Sequence, residues 1–331
     1  MLGALPLARR AGRVVLAGPC LLEVGFEQLY WIPLLRHLLE RHRIPPERVV
    51  AISRGGCEAW YGDIAARYVD VYDVMGADEL QARLSERRAR AGDQKQIGIA
   101  ALDRDLLARV AARLGGERTT VVHPTAMHAL LRRHWDGRRP VAGLARRVRW
   151  AALDRRRHAD AFPDLGGPYI AFKPYTSDSF PDTPSNRALV EALAARLGER
   201  RRVVVLGHGL PGDGHVQIPV PDDSGAVETA PAMTLRDQLG AQSALIAGAD
   251  ALVSTYGGMS YVAMFLGVPA LGLYSTPAFN PAHVEAARHA RAAIGGEAPL
   301  ELLGVGGNSS LEAAITALEA IAPSTGAPGF V

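Results

Sequence analysis

Short runs of β-branched and aliphatic residues recur along this chain, each followed by a Gly/Pro/Ser loop and then by a stretch of helical period. That alternation constrains the fold more than any other feature. Strands separated by helices cannot pair as hairpins, so they join by right-handed crossovers into a parallel sheet covered on both faces. In the first half the strand-like runs are 13–17 (RVVLA), 48–53 (RVVAIS), 68–74 and 119–123 (TTVVH). Helical patterns fall at 26–43, 79–91, 103–114 and 126–135. After an Arg-rich, proline-punctuated connector at 138–168 the pattern restarts. Strands are expected at 169–173 (YIAFK), 202–206 (RVVVL), 216–220, 251–255 (ALVST) and 269–274 (PALGLY). Helices are expected at 186–197, 234–247, 260–266, 281–290 and 311–320, with Thr234 as an N-cap.

A chain of 331 residues is long for one core, so the restart is read as a domain boundary, giving domains 1–160 and 161–331. With 48% hydrophobic and 21% charged residues the chain is neither disordered nor fibrous. No apolar run reaches the roughly 18 residues of a bilayer span. Residues 1–13 hold arginines but no following apolar segment, so a secretory leader is not expected. Cys20 and Cys57 are too few for a disulfide framework or a zinc cluster. The expectation is a cytoplasmic protein.

Residues 1–165 carry 28 Lys+Arg against 19 Asp+Glu, whereas 166–331 carry 9 against 15. The basic half lacks the interleaved aromatics of a nucleic-acid platform, so no nucleic-acid partner is expected. An anionic acceptor, or a peripheral contact with the anionic inner face of a membrane, suits it better.

Several standard motifs are missing. There is no G-x-G-x-x-G after the first strand, no G-x-x-x-x-G-K-[ST], no G-x-S-x-G and no H-E-x-x-H. The most informative segment is 245–275, LIAGADALVSTYGGMSYVAMFLGVPALGLYS. A strand runs to Thr255, and Tyr256-Gly257-Gly258-Met259-Ser260 turns into a helix. Glycines allow close approach of a ligand, the free N–H groups of a helix start attract phosphate, and Ser260 can add a hydroxyl donor. A tight turn that needs only small residues and a cap would look the same.

This run resembles the C-terminal signature of GT-B glycosyltransferases, above all the heptosyltransferase-like group. There a strand leads into an Asp-Thr-Gly-x-Ser-His turn, and a helix and a Leu-Gly-Val-Pro segment follow. Gly258, Ser260 and 266–269 (LGVP) match, while Tyr256 and Tyr261 stand at the Asp and His positions. The resemblance implies two Rossmann-like domains with parallel sheets facing across a cleft. The donor, a nucleotide sugar, would lie on the C-terminal half and the acceptor on the N-terminal half. It implies a cation against the donor phosphates at Lys173, one of two lysines in the chain, with Ser177 in the loop that follows. His208 in Gly207-His208-Gly209 would border the base and ribose, or serve as a cap or packing residue. It also implies a carboxylate base at the start of the first helix, six residues before a proline. Glu27 precedes Pro33 by that spacing, and Glu23 in the loop before it is the other candidate. Arg54 and His123, at the ends of strands in the first half, are candidates for binding an anionic acceptor.

The reading is an α/β protein of GT-B type that moves a sugar from a nucleotide-activated donor to a hydroxyl of a glycan or lipid-linked acceptor. No metal and no further cofactor are expected. A nucleotide-sugar 2-epimerase and a non-catalytic binder of sugar nucleotides or glycans are the competing readings.

Overall fold

The computed structural model describes residues 13–91, 96–159, 165–207, 216–221, 227–230, 233–307 and 309–322. The first sheet contains β1 (Val14–Ala17), β2 (Val49–Ser53), β3 (Arg67–Asp70) and β4 (Thr119–Val122), all parallel, in the order β3-β2-β1-β4. β1 and β2 are buried along their whole length, as continuous Val/Ile/Leu runs require in a doubly covered sheet.

The helix after β1, α1, is continuous over 24–42 but changes pitch. Val24–Phe26 opens it, Glu27–Trp31 is π-helical with the Ile32 N–H bonded back to Glu27, and Ile32–His42 is regular. Pro33 has no N–H to give the Leu29 carbonyl four residues back, and the Trp150 indole fills that acceptor at 2.9 Å. The remaining helices of this half are α2 (Val71–Val74), α3 (Ala77–Ala91), α4 (Ala101–Arg113) and α5 (Thr125–Trp135), followed by a 3-10 turn, Val141–Arg146, and α6 (Arg155–Ala159). The strand expected at 68–74 ends at Asp70, whose carboxylate accepts the Tyr72 N–H and starts α2.

The second sheet contains β5 (Ile170–Lys173), β6 (Val203–Val205), β7 (Val227–Thr229), β8 (Ala251–Thr255), β9 (Ala270–Tyr274) and β10 (Leu300–Gly304). Its order is β10-β9-β8-β5-β6-β7, again all parallel. Its helices are α7 (Pro184–Gly198), α8 (Gln238–Gly248), α9 (Gly258–Phe265), α10 (Pro281–Ala293) and α11 (Ser310–Ile321). Two expectations fail here. The run 216–220 makes only one isolated bridge, Gln217 with Tyr175, because the edge next to β6 is taken by β7. Thr234 does not cap α8, which begins at Gln238; its hydroxyl instead bonds Asp237 at 2.6 Å.

The expected boundary between 160 and 161 lies outside the described residues. The largest apolar cluster runs through both halves, from Leu29, Tyr30 and Leu35 to Tyr261, Val262 and Ala286. Polar ties reinforce it: Trp60 Nε1 donates to Ser243 at 3.1 Å, and the Gly240 N–H to the Gly55 carbonyl at 2.8 Å. Among the described residues, no helix is long and apolar enough to cross a membrane.

Candidate functional site

In each sheet the chain order reverses beside the first strand of its half. β1 lies between β2 and β4, and β5 lies between β6 and β8. Ligands of open α/β sheets bind at the carboxyl ends of strands at such switch points. Here a cavity of about 400 Å³ lies between the halves, at the loops after β1, β5 and β8. Its wall includes Glu23, Lys173, Ser177, Tyr256, Gly257, Gly258 and Met259, so it gathers seven of the residues singled out from the sequence.

Lys173 ends β5 in register with Ser254 of β8. Its ammonium donates to the Gly207 carbonyl at 3.1 Å. The loops after these two strands are tied by Thr255, whose hydroxyl accepts the Tyr175 N–H at 3.0 Å and donates to the Tyr175 carbonyl at 2.7 Å. A Cβ at Gly257 would sit 2.0 Å from the Tyr175 hydroxyl, so glycine is what lets this turn close. α9 then begins with no side-chain cap on its N-terminus. Its first N–H groups and the positive end of its dipole, with Lys173, make this wall suited to an anion. A Cβ on Gly258 would meet the Gly25 nitrogen and the Val24 Cβ, each at 2.7 Å. The starts of α9 and α1 therefore approach each other across the domain junction.

The other end of the cavity is aromatic, and sequence reasoning missed most of it. Phe26, Tyr30, Tyr256, Tyr261, Phe279 and His283 line it. The Tyr30 hydroxyl bonds His283 Nδ1 at 2.6 Å across the junction. The Tyr256 and Tyr261 hydroxyls bond each other, and the Tyr256 ring meets Phe279 edge-on at 5.0 Å. Burial pushes all three phenols up, so they stay protonated at neutral pH. Phe26 and Tyr30 sit four apart on α1, a spacing that signals one helix face; His283 gave no local signal.

Other sequence candidates lie elsewhere. Glu27 has no exposure: its carboxylate accepts from Ser53 at 2.6 Å, from Arg54 at 2.9 Å and from Tyr61. Arg54 also donates to the carbonyls of Cys20 and Leu22. This pair locks the loop after β1 to the end of β2 and does not line the cavity, so the structure puts Glu23 rather than Glu27 at the cleft. Ser260 is turned inward, bonded to Ser254 at 3.0 Å, and adds no donor to the wall. His123 is buried, with Nδ1 accepting the Thr125 N–H at 3.1 Å and Nε2 3.6 Å from Asp103. His208 lies outside the described residues. Among the described residues, no group of three or more His, Cys, Asp or Glu is placed to hold a metal ion.

No protein-family model matches the chain, and no curated protein matches it. Solved structures do. The E. coli heptosyltransferase WaaC with ADP-2-deoxy-2-fluoro heptose aligns at a TM-score of 0.51 and 14% identity, covering 93% of this chain and 99% of that one. The E. coli ADP-heptose LPS heptosyltransferase II gives 0.49 at 15% identity, covering 92% and 98%. The UDP-GlcNAc 2-epimerase of Methanocaldococcus jannaschii gives 0.36 at 11%, covering 94% and 93%. The architecture, two Rossmann-like units with parallel sheets on either side of a cleft, is GT-B-like.

Proposed function

We propose that this protein is a glycosyltransferase that moves a hexosyl or heptosyl group from a nucleoside-diphosphate sugar to a hydroxyl of a glycan or lipid-linked acceptor. The observation that carries the reading is the convergence of Lys173 and the uncapped start of α9 on one interdomain cavity, at the switch point of the second sheet. The diphosphate lies against Lys173 and the N–H groups of Gly258 and Met259, with Ser177 beside it. As the bond from the anomeric carbon to the diphosphate breaks, negative charge grows on the leaving oxygen, and these donors compensate it. The acceptor oxygen bonds the anomeric carbon, and its proton passes to Glu23 on the facing wall. Lysine and helix end supply the charge compensation, so transfer needs no divalent ion.

Titration calorimetry with ADP, UDP, GDP and dTDP, followed by product analysis with the matching nucleotide sugars, tests this. One diphosphate binds specifically, and Lys173→Met weakens it about 10- to 100-fold, the value of a charge-assisted contact. Excess EDTA leaves turnover unchanged. Release of nucleoside diphosphate with sugar joined to an acceptor supports transfer; an isomerised nucleotide sugar formed without acceptor would replace this reading with epimerisation.

A further inference from the structure

The interdomain cavity changes character along its length. It follows the carboxyl edge of the second sheet, from Lys173 and Ser177 after β5, past the start of α9 after β8, to Phe279 after β9 and His283 on α10. The ammonium and backbone donors lie on the β5 and β8 side, and the rings on the β9 side. Glu23 stands immediately before α1, and Phe26 follows it one turn later, so one helix start presents both the carboxylate and a ring to the cavity. In the transferase reading the diphosphate lies at the start of α9 and the acceptor proton passes to Glu23. The group between those two points is the sugar, which places it against the rings.

Neighbouring rings hold these rings in place. Phe279 meets Tyr256 and Tyr274 edge-on, each with ring centroids 5.0 Å apart, and Phe26 meets Trp135 at 5.3 Å and His283 at 5.1 Å. Their polar tips answer one another, Tyr256 with Tyr261 and Tyr30 with His283 Nδ1 at 2.6 Å. Asn280 is engaged as well: its amide donates to the Trp135 carbonyl at 3.0 Å, and its oxygen accepts the Ala282 N–H at 2.9 Å. A sugar hydroxyl entering this end has to compete for those bonds or give up water without a new partner. Methyl and C–H groups lie against ring faces at no such cost. Resting on the transferase reading, we propose that the transferred sugar is a 6-deoxyhexose whose methyl group sits against the Tyr256–Phe279 pair, where another hexose would carry a hydroxymethyl group. Phe279 is then a specificity residue for the donor sugar and takes no part in the transfer itself.

Titration calorimetry with base-matched donors tests this. The members of each pair differ only at carbon 6: GDP-mannose with GDP-D-rhamnose, UDP-glucose with UDP-6-deoxyglucose, and dTDP-glucose with dTDP-6-deoxyglucose. For the base that the protein accepts, the deoxy member binds about 10- to 100-fold tighter than its partner, the range over which an apolar pocket turns away an added hydroxyl. Phe279→Ala lowers that preference roughly fivefold, the value of a ring contact. Phe279→Leu, which keeps apolar bulk without the ring, takes its place if the alanine variant does not fold. A deoxy member that binds no tighter than its partner overturns the proposal and leaves the transferase reading standing. A preference that neither substitution moves overturns the assignment to Phe279. If no nucleoside diphosphate and no member of any pair binds, the donor site itself is refuted and the proposal falls with it.

Discussion

Glu27 and Arg54 form an ion pair at 2.9 Å in which the carboxylate has no exposure and the guanidinium side chain only 6%. Such a pair is expensive to break, because removing one partner strands the other charge away from water.

Glu27→Gln therefore acts on stability. It lowers the unfolding free energy by about 3 kcal/mol, read from urea melts. Glu23→Gln, on the cavity wall, leaves the melts near wild type and lowers the rate of nucleotide-sugar turnover. The reverse pattern would return the base to Glu27.

Gly258→Ala tests the contact between the starts of α1 and α9. A Cβ there is 2.7 Å from backbone and side chain of the first domain, neither of which is a flexible tip. The variant unfolds at lower temperature and shows a larger radius of gyration in X-ray scattering, as the halves are wedged apart. Unchanged scattering and melting would show that the two helix starts are not in this contact in solution.

Tyr30→Phe removes one hydroxyl from the cross-junction bond to His283. It costs about 1 kcal/mol of stability, and His283→Ala combined with it costs less than the sum of the two single changes. Strict additivity in that double-mutant cycle would mean the two do not interact.

Acid sensitivity has one traceable source in Asp103. Burial pushes its carboxyl up, but the facing His123 ring, the Arg87 guanidinium and the Ala100 N–H together outweigh it and hold it below the ordinary value of 3.8. A depressed folded value means stability that is present above pH 3.8 and lost as the pH falls through the folded value. Asp103→Asn flattens that acid limb in melts taken between about pH 5 and pH 3; a limb as steep as wild type would place the proton uptake elsewhere.

Much of the fold was readable from the chain because fully buried parallel strands are continuous apolar runs. Six of them, β1, β2, β5, β6, β8 and β9, stood out for that reason, and the half-buried β3 and β4 stood out only by their place in the alternation, whereas β7 and the half-exposed β10, with Glu301 near its start, lack the signature. One wall of the cavity was readable for a similar reason: Lys173 and the Tyr256–Met259 turn each belong to one local segment. The rest of the site depends on orientation. Glu23 and Glu27 are only four residues apart, and nothing in their spacing says which faces water. Ser260 carries the right hydroxyl for a ligand donor, yet Ser254, six residues back on β8, claims it. His283 reaches the cavity only because α10 packs against α1, a long-range contact with no local trace.

The wide turn at Glu27–Trp31 works as a phase adjuster. It holds one more residue per hydrogen-bonded loop than the helix on either side, so deleting a single residue there would restore an even pitch. Everything upstream would then rotate by about 100° about the axis. Phe26 would swing off the cavity and the buried carboxylate would leave its arginine. Insertions and deletions in that stretch are therefore far less tolerable than substitutions, although nothing in its composition marks it as special.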